Sequence, residues 1–273
     1  MTAEKTDKVV ILARGLGTRM RKADDSSSLR PEQSAAADIG LKAMIPIGRP
    51  FLDYVLSALA DAGFTDVCLV IGPEHTRVRD YYEREVRPSR LRIRFAIQEK
   101  ALGTANAVLA AEEFAGAGTF AVINSDNFYP MDALTALHNL HEPAIVGFER
   151  NALVHLGNVP VERTTRFGAL DIGEDGYLRR ILVTPTEAMV AEGAPIYASM
   201  NCFLFTQEIF SACREVPLSA RGEYELPKAV QLAIEKHSMR FKVVKFEAAV
   251  LDLSSRADIT TVTEKLRGTA INL

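Results

Sequence analysis

Apolar residues in the first half of the chain fall into short runs divided by amphipathic stretches. DKVVILA (7–13) is a compact apolar run that ends on a glycine-bearing turn. PFLDYVLSALADAG (50–63) carries apolar positions at helical spacing and stops on Gly63, a residue suited to a helix end. DVCLVIG (66–72) is again rich in β-branched residues, and a charged helical stretch follows over 74–86. LRIRFAIQ (91–98) alternates strictly, which predicts a strand with one wetter face. TANAVLAAEEFA (104–115) reads as helix and TFAVINSDN (119–127) as a buried strand with a polar end. Repeated strand–helix–strand units predict an α/β fold, a mainly parallel or mixed central sheet with helices on both faces.

Beyond about residue 150 the rhythm changes. FGALDIGEDGYLRRILV (167–183) places EDG between alternating runs, a hairpin signal. YASMNCFLFT (197–206) and RFKVVKFEAAVLDL (240–253) read as strands, ELPKAVQLAIEK (225–236) and SRADITTVTEKLRG (255–268) as helices. No fixed-period repeat is present. The expected organisation is one domain over 1–273, divided into halves at 1–130 and 131–273. KADDSSSLRPEQSAAADIG (22–40) is rich in Ser, Asp and Ala and reads as a flexible loop, or as a lid over whatever precedes it.

Composition narrows the function. A hydrophobic fraction of 48% and a charged fraction of 25% belong to an ordinary globular protein. The net charge of -3 argues against a nucleic-acid partner, which calls for a basic excess. Cys68, Cys202 and Cys213 are scattered without a CxxC pair, so buried thiols are expected rather than zinc ligands or disulfides. No apolar run approaches the roughly 18 residues of a membrane span. The polar start MTAEKTDK leads straight into a strand, and the expectation is a cytoplasmic protein without a leader. His138 and His141, three apart, read as a solvated helix face, and Arg84, Arg87, Arg90, Arg92 and Arg94 as one wet edge.

The chemistry concentrates in LARGLGTRM (12–20). Closely spaced glycines after a strand present backbone N–H groups to anionic oxygens. The run lacks the GxxxxGK[ST] of a P-loop, and Met20 stands where a dinucleotide fingerprint needs its third glycine. Arg19 adds a guanidinium fork suited to phosphate. Downstream, GLKAMIPIGRPFLDYVL (40–56) sets Lys42 at a polar-to-apolar transition.

LARGLGTRM followed by KAMIPIGRPFLDYVL resembles the paired motifs of the sugar nucleotidylyltransferases, the nucleotidyltransferase-like α/β family that makes NDP-sugars. The similarity continues in order through QEKALGTANAV (98–108), VINSDNFYP (122–130), FGALD (167–171), MNCFLF (200–205), ARGEYELPKAV (220–230) and VLDLSSRADI (250–259). It implies a Rossmann-like nucleotidyltransferase fold and attack of a sugar 1-phosphate on the α-phosphorus of an NTP, UTP or dTTP, with release of pyrophosphate. By resemblance, Ala13, Gly15, Leu16, Gly17 and Thr18 with Arg19 hold the triphosphate, and Lys42 bridges the two reacting phosphates. Gln98, Gly103 and Thr104 receive the base. Gly168, Asn201, Arg221 and Glu223 face the sugar phosphate, and Asp126 and Asp252 bind Mg²⁺. A homo-oligomer is compatible with the sequence, and no nucleic acid or membrane partner is implied.

Three departures from the family pattern stand out. Arg14 replaces a small residue of the glycine turn, the 22–40 segment separates the two leading motifs, and Val183-Thr184-Pro185 stands where the family often has Glu-Lys-Pro. The last change leaves the sugar open, with Arg221 the expected substitute for the missing charge. It also leaves two alternatives to an active enzyme of this kind: a non-catalytic nucleotide-sugar-binding relative, and a cytidylyltransferase of a polyol or alcohol phosphate.

Overall fold

The apolar runs become parallel strands in the computed structural model, which describes residues 5–22, 29–186, 189 and 194–273. Strand β1 (Lys8–Leu12) is followed by a single helical turn α1 (Thr18–Arg21), then α2 (Pro31–Ile39) and α3 (Phe51–Ala62). After β2 (Asp66–Ile71) come α4 (Thr76–Asp80), a π-helical turn over Tyr81–Val86, and β3 (Arg92–Ile97). Helices α5 (Thr104–Ala110) and α6 (Glu112–Ala115) lead to β4 (Phe120–Asn124). β1 runs parallel to β2 on one side and to β4 on the other, with β3 beyond β2. Alternate residues of β1 serve opposite faces, as a pleated strand requires. Val9 and Ile11 pack with Phe51, Leu52 and Leu56 of α3, while Val10 and Leu12 pack with Ala105 and Val108 of α5. Val9, Val10 and Ile11 are wholly buried, which is why this run reads as continuously apolar.

The second half extends the same sheet with a change of direction. It begins with β5 (Asn127–Phe128), α7 (Met131–Asn139), β6 (Ala144–Glu149), α8 (Arg150–His155) and α9 (Val161–Thr164). The hairpin β7 (Ala169–Ile172) and β8 (Leu178–Leu182) turns at the expected EDG, and β9 (Tyr197–Phe205) follows. Helices α10 (Ile209–Glu215) and α11 (Leu226–His237), strands β10 (Lys242–Phe246) and β11 (Leu251–Asp252), and α12 (Arg256–Lys265) complete the described elements. The strand order is β10-β6-β9-β4-β1-β2-β3, with β9 antiparallel to both neighbours and the other pairs parallel. β5 and β11 form a separate antiparallel pair, so the stretch expected as one strand over 240–253 is divided between two sheets.

Several expectations change. Pro31–Ile39, read as loop, is a helix: Pro31 starts it, the Gln33 side chain accepts from the Arg30 N–H, and Gly40 ends it in the left-handed region. Residues 23–28 of the same segment lie outside the described residues. Its polar face misleads because Gln33 and Ala37 alone are buried. His138 is buried rather than solvated, its Nδ1 2.9 Å from the Thr6 carbonyl and its ring edge-on to Phe64. His141 lies beyond the helix end and is exposed. β6, α8, α9 and α10 have no counterpart in the periodicity reading. The three cysteines are free and buried, and burial pushes the thiols of Cys68 and Cys213 up to about 12. The arginine edge is as expected, with Arg92 paired to Asp66 and Arg90 to Asp61. No helix among the described residues is long and apolar enough to cross a membrane.

One buried charge fixes α3 against the π-helical turn. Asp53 has no exposure; it accepts from the hydroxyls of Tyr81 and Tyr82, both at 2.9 Å, and from Arg49 Nε at 2.8 Å. Asp53→Ala leaves three donors without their acceptor and is expected to cost about 3 kcal/mol in urea-induced unfolding. Asp53→Asn keeps one acceptor oxygen and should fall between the two. A loss below about 1 kcal/mol for the alanine variant would show that the cluster is dispensable.

Candidate active site

The strand order reverses between β1 and β4, and the carboxyl ends of these two strands open a crevice there, the position at which open α/β sheets bind ligands. A cavity of about 390 Å³ occupies it. Ala13, Gly15, Leu16, Gly17, Thr18 and Arg19 form its floor from the end of β1. Gly17 adopts φ 61°, and a side chain there would strike the Gly40 carbonyl at the end of α2. Glycine at this position thus serves both the turn and the packing of the inserted helix. Gly40 in turn accepts from the Lys42 N–H at 3.1 Å, which begins the short turn that carries Lys42 inward.

Lys42 Nζ donates to Asp126 Oδ2 at 2.7 Å across the mouth of the crevice. Both side chains are largely covered, so the pair is poorly screened and its charges are felt by anything entering the cavity. From Asn201, which also lines the cavity, a chain of polar side chains leads to Asp252. Asn201 donates to Asn124 at 3.4 Å, Asn124 to Asn127 at 3.1 Å, and Asn127 to Asp252 at 3.1 Å. Asn201 stands in the left-handed region at φ 54°, where β9 slips in register against β6.

Asp252 does not line the cavity. It is buried in β11, accepts from Ser254 Oγ at 2.9 Å, and meets Arg163 Nη1 at 2.8 Å. Burial and the nearby Asp126 carboxylate push its acidity weaker than an ordinary aspartate, against the pull of Ser254 and Arg163. Arg163 also holds Asp258 at 3.0 Å; burial works against its charge, but the two carboxylates outweigh it and raise its pKa. Arg163 lies between the sequence motifs and carried no signal of its own. Asn124 and Asn127 were visible in VINSDN but overshadowed by Asp126.

The other expected residues divide. Gln98, Gly103, Thr104, Asn201 and Glu223 line the cavity. Gln98 is buried, and its Nε2 donates to the Gly103 carbonyl at 3.0 Å and to Asn106 Oδ1 at 2.9 Å. Gly103, at φ 109°, has a structural reason to lack a side chain: a Cβ would stand 2.6 Å from the Tyr224 carbonyl oxygen. Thr104 Oγ1 accepts from the Leu226 N–H at 2.8 Å, tying α5 to α11. Arg221 is exposed and bonded to Glu225 at 2.8 Å and does not line this cavity, whereas Glu223 does. Gly168 also stays outside, its carbonyl accepting from the Ser199 N–H at 2.8 Å where the β7–β8 hairpin joins β9.

With this geometry fixed, comparison with known proteins decides the lineage. The sequence model of the nucleotidyl transferase family matches residues 8–267. The chain belongs to the nucleotidyl transferase family. The bifunctional protein GlmU of Methanococcus vannielii is 28% identical over 232 residues, 84% of this chain and 48% of that protein. The chain therefore spans about half the length of such relatives. The UTP–glucose-1-phosphate uridylyltransferase of Bacillus subtilis is 24% identical over 287 residues, 95% of this chain and 90% of that one. Among solved structures, a UDP-glucose pyrophosphorylase from Acinetobacter superposes with a TM-score of 0.72 at 17% identity, covering 98% of this chain and 96% of the other. The same fold is seen in a UDP-glucose pyrophosphorylase complexed with UDP-glucose, at TM-score 0.72 and 18% identity, covering 97% and 100%. The expected nucleotidyltransferase family and the Rossmann-like α/β fold are borne out.

For this nucleotidyltransferase the turn at Gly17 is a testable point. Gly17→Ala forces a β-carbon into the left-handed region and against the Gly40 carbonyl, and should lower stability by about 1–3 kcal/mol. Calorimetric titration with UTP should show weakened nucleotide binding in the same variant. Unchanged melting and unchanged UTP affinity would show that Gly17 and Gly40 do not depend on one another.

Proposed function

We propose that the protein joins an NTP, UTP or dTTP, to a sugar 1-phosphate, with glucose 1-phosphate the first candidate, giving an NDP-sugar and pyrophosphate. The observation that carries this reading is the Lys42–Asp126 pair facing the Gly15–Arg19 loop across one cavity. A phosphate oxygen of the sugar phosphate attacks the α-phosphorus of the NTP, the bond to the β-phosphate breaks, and pyrophosphate leaves with the negative charge. Such a transfer needs alignment and charge neutralisation rather than a protein nucleophile. The backbone amides of the glycine loop and Arg19 are suited to hold the leaving pyrophosphate, and Lys42 to offset repulsion between the two anions.

Base choice follows from Gln98. Both hydrogens of its amide are taken, one by a backbone carbonyl that can only accept, so the side chain meets a ligand through its oxygen. That oxygen accepts from a base N–H, which uracil and thymine present at N3, whereas cytosine and adenine present theirs at an exocyclic amine in a different place on the ring edge. Mg²⁺ fits the donors present: Asp126 and Asp252 are hard oxygen ligands close enough to affect one another, and no larger group of acidic, histidine or cysteine residues is gathered among the described residues. Bound there, the ion would neutralise charge on the phosphates. The distribution of three buried thiols agrees with a cytoplasmic setting.

The test is pyrophosphate release with each NTP, Mg²⁺ and a panel of sugar 1-phosphates. UTP or dTTP with glucose 1-phosphate should give turnover, with CTP and ATP poorer by about 100-fold or more. Asp126→Ala and Lys42→Met should each lower kcat by about 10²–10³-fold with folding intact by circular dichroism. Pyrophosphate from no pair, despite tight UTP binding, would mean a nucleotide-sugar-binding protein instead.

A further inference from the structure

A second cavity, of about 520 Å³, lies on the other side of the glycine loop and has no part in the nucleotidyl transfer described above. Leu16, Ala36, Ile39, Leu41 and Met44 give it apolar walls, and the inserted helix α2 forms one side. Leu16 and Ile39 are large apolar side chains left 52% and 66% exposed. Arg14, the residue that departs from the family's small-residue turn, also lines it. Its side chain is nine-tenths buried, with 9% exposure, over Gly72, where a Cβ would stand 2.5 Å from Arg14 Nε. Its contact with Glu74 is long, at 3.4 Å through Nη2 alone. Nε and Nη1 are buried with no hydrogen-bond partner among the described residues.

A buried guanidinium with two unpaired donors is costly to keep, and acceptors for such groups are nearly always found. The cavity supplies none at that position. Arg21 and Arg77 add positive charge to its lining, Arg77 with Glu85 as partner, and Glu74 is the single carboxylate among the described lining residues. Apolar walls and a positive inner end together select a molecule with both properties. We propose that this cavity is a second ligand site, for a small amphiphilic anion whose carboxylate or phosphate head meets Arg14 and whose apolar body fills the space between Leu16 and Ile39. A triphosphate or a sugar lacks the apolar body, so the natural nucleotide substrates do not satisfy it. Arg14, Gly15 and Leu16 front both cavities, so an occupant acts directly on the loop of the first site. The inference stands on the second cavity and Arg14 and does not rest on the identity of the nucleotide.

The probe is 8-anilinonaphthalene-1-sulfonate, a fluorescent anion on an apolar ring system, titrated into the full chain. One saturable site is expected. Arg14→Met should weaken it by about tenfold or more, the cost of a lost charge-assisted contact, while the melting temperature holds or rises because the unpaired donors are gone. Ala35→Phe, on the exposed side of α2 at the cavity mouth, should weaken it similarly with folding intact, and Gln98→Leu in the first cavity should leave it unchanged. Displacement by octanoate or by octyl phosphate, but not by octanol, then identifies the head group. Affinity indifferent to both Arg14→Met and Ala35→Phe, affinity that instead falls with Gln98→Leu, or displacement by octanol as well as by the anions would each overturn the proposal.

Discussion

The site depends on the close approach of Gly17 to Gly40. Two residues in the left-handed region, one in a turn after β1 and one at the end of α2, pack backbone against backbone because neither carries a side chain. The glycine loop thereby gains a rigid support, and the chain leaving Gly40 is aimed so that Lys42, two residues on, reaches Asp126. Phosphate-binding loops are usually discussed for the amides they turn toward the ligand. Here the reverse side of the loop matters as much, since its support also delivers the lysine. A β-carbon at Gly17 would separate the two structures and leave the amides and the ammonium group without a common geometry, while one at Gly40 would meet the Arg21 side chain.

Cations already built into the fold hold the two carboxylates of the site. Asp126 faces Lys42 at the opening, and Asp252 faces Arg163 in the interior, where it also accepts from Asn127, itself bonded to Asn124. Burying Asp252 beside another carboxylate is unfavourable, and Arg163 offsets part of that cost while also serving Asp258. The two aspartates therefore differ in kind. Asp126 lines the cavity and its partner is a single lysine ammonium that also lines it. Asp252 is enclosed and its partner is a fork shared with a second carboxylate. A divalent ion engaging both would have to compete with Arg163 for Asp252, whereas at Asp126 it competes with a single ammonium.

The sheet was legible because its strands are buried on both faces, which gives continuous apolar runs at β1, β2 and β4 and strict alternation only at the edge strand β3. The cavity-lining residues were legible through motif order, since the Gly15–Arg19 loop, Lys42, Gln98 and Asp126 come from separate segments that only the fold unites. What the sequence hid has a common physical cause: the information lay in partners rather than in the residue. Arg221 reads as an available cation, yet in the fold Glu225, four residues on, pairs with its guanidinium. Pro31–Ile39 looked like a linker because a helix with two buried residues has almost no apolar stripe. Gly103 reads as an open turn, and the space a side chain would take there is filled by the Tyr224 backbone.

That weakly apolar helix stays in place through a contact no local pattern contains. Arg256, at the start of α12, donates to the Lys22 carbonyl at 2.9 Å and to Ser34 Oγ at 3.3 Å, and pairs with Asp38. Its side chain is almost fully buried, so these bonds form where water does not compete well. One arginine near the end of the sequence thus pins both ends of the inserted segment, and the segment in turn supports the glycine loop near its start. Asp252, four residues before Arg256, reaches the same site through the asparagine chain. The last strand and helix therefore act on the first loop by two routes, one through backbone support and one through charge. Loosening Arg256 would shift the position of Gly40, and with it Lys42, without touching any group that meets a substrate. The positions of the glycine loop and of Lys42 are set in this way by residues more than two hundred positions apart in the chain.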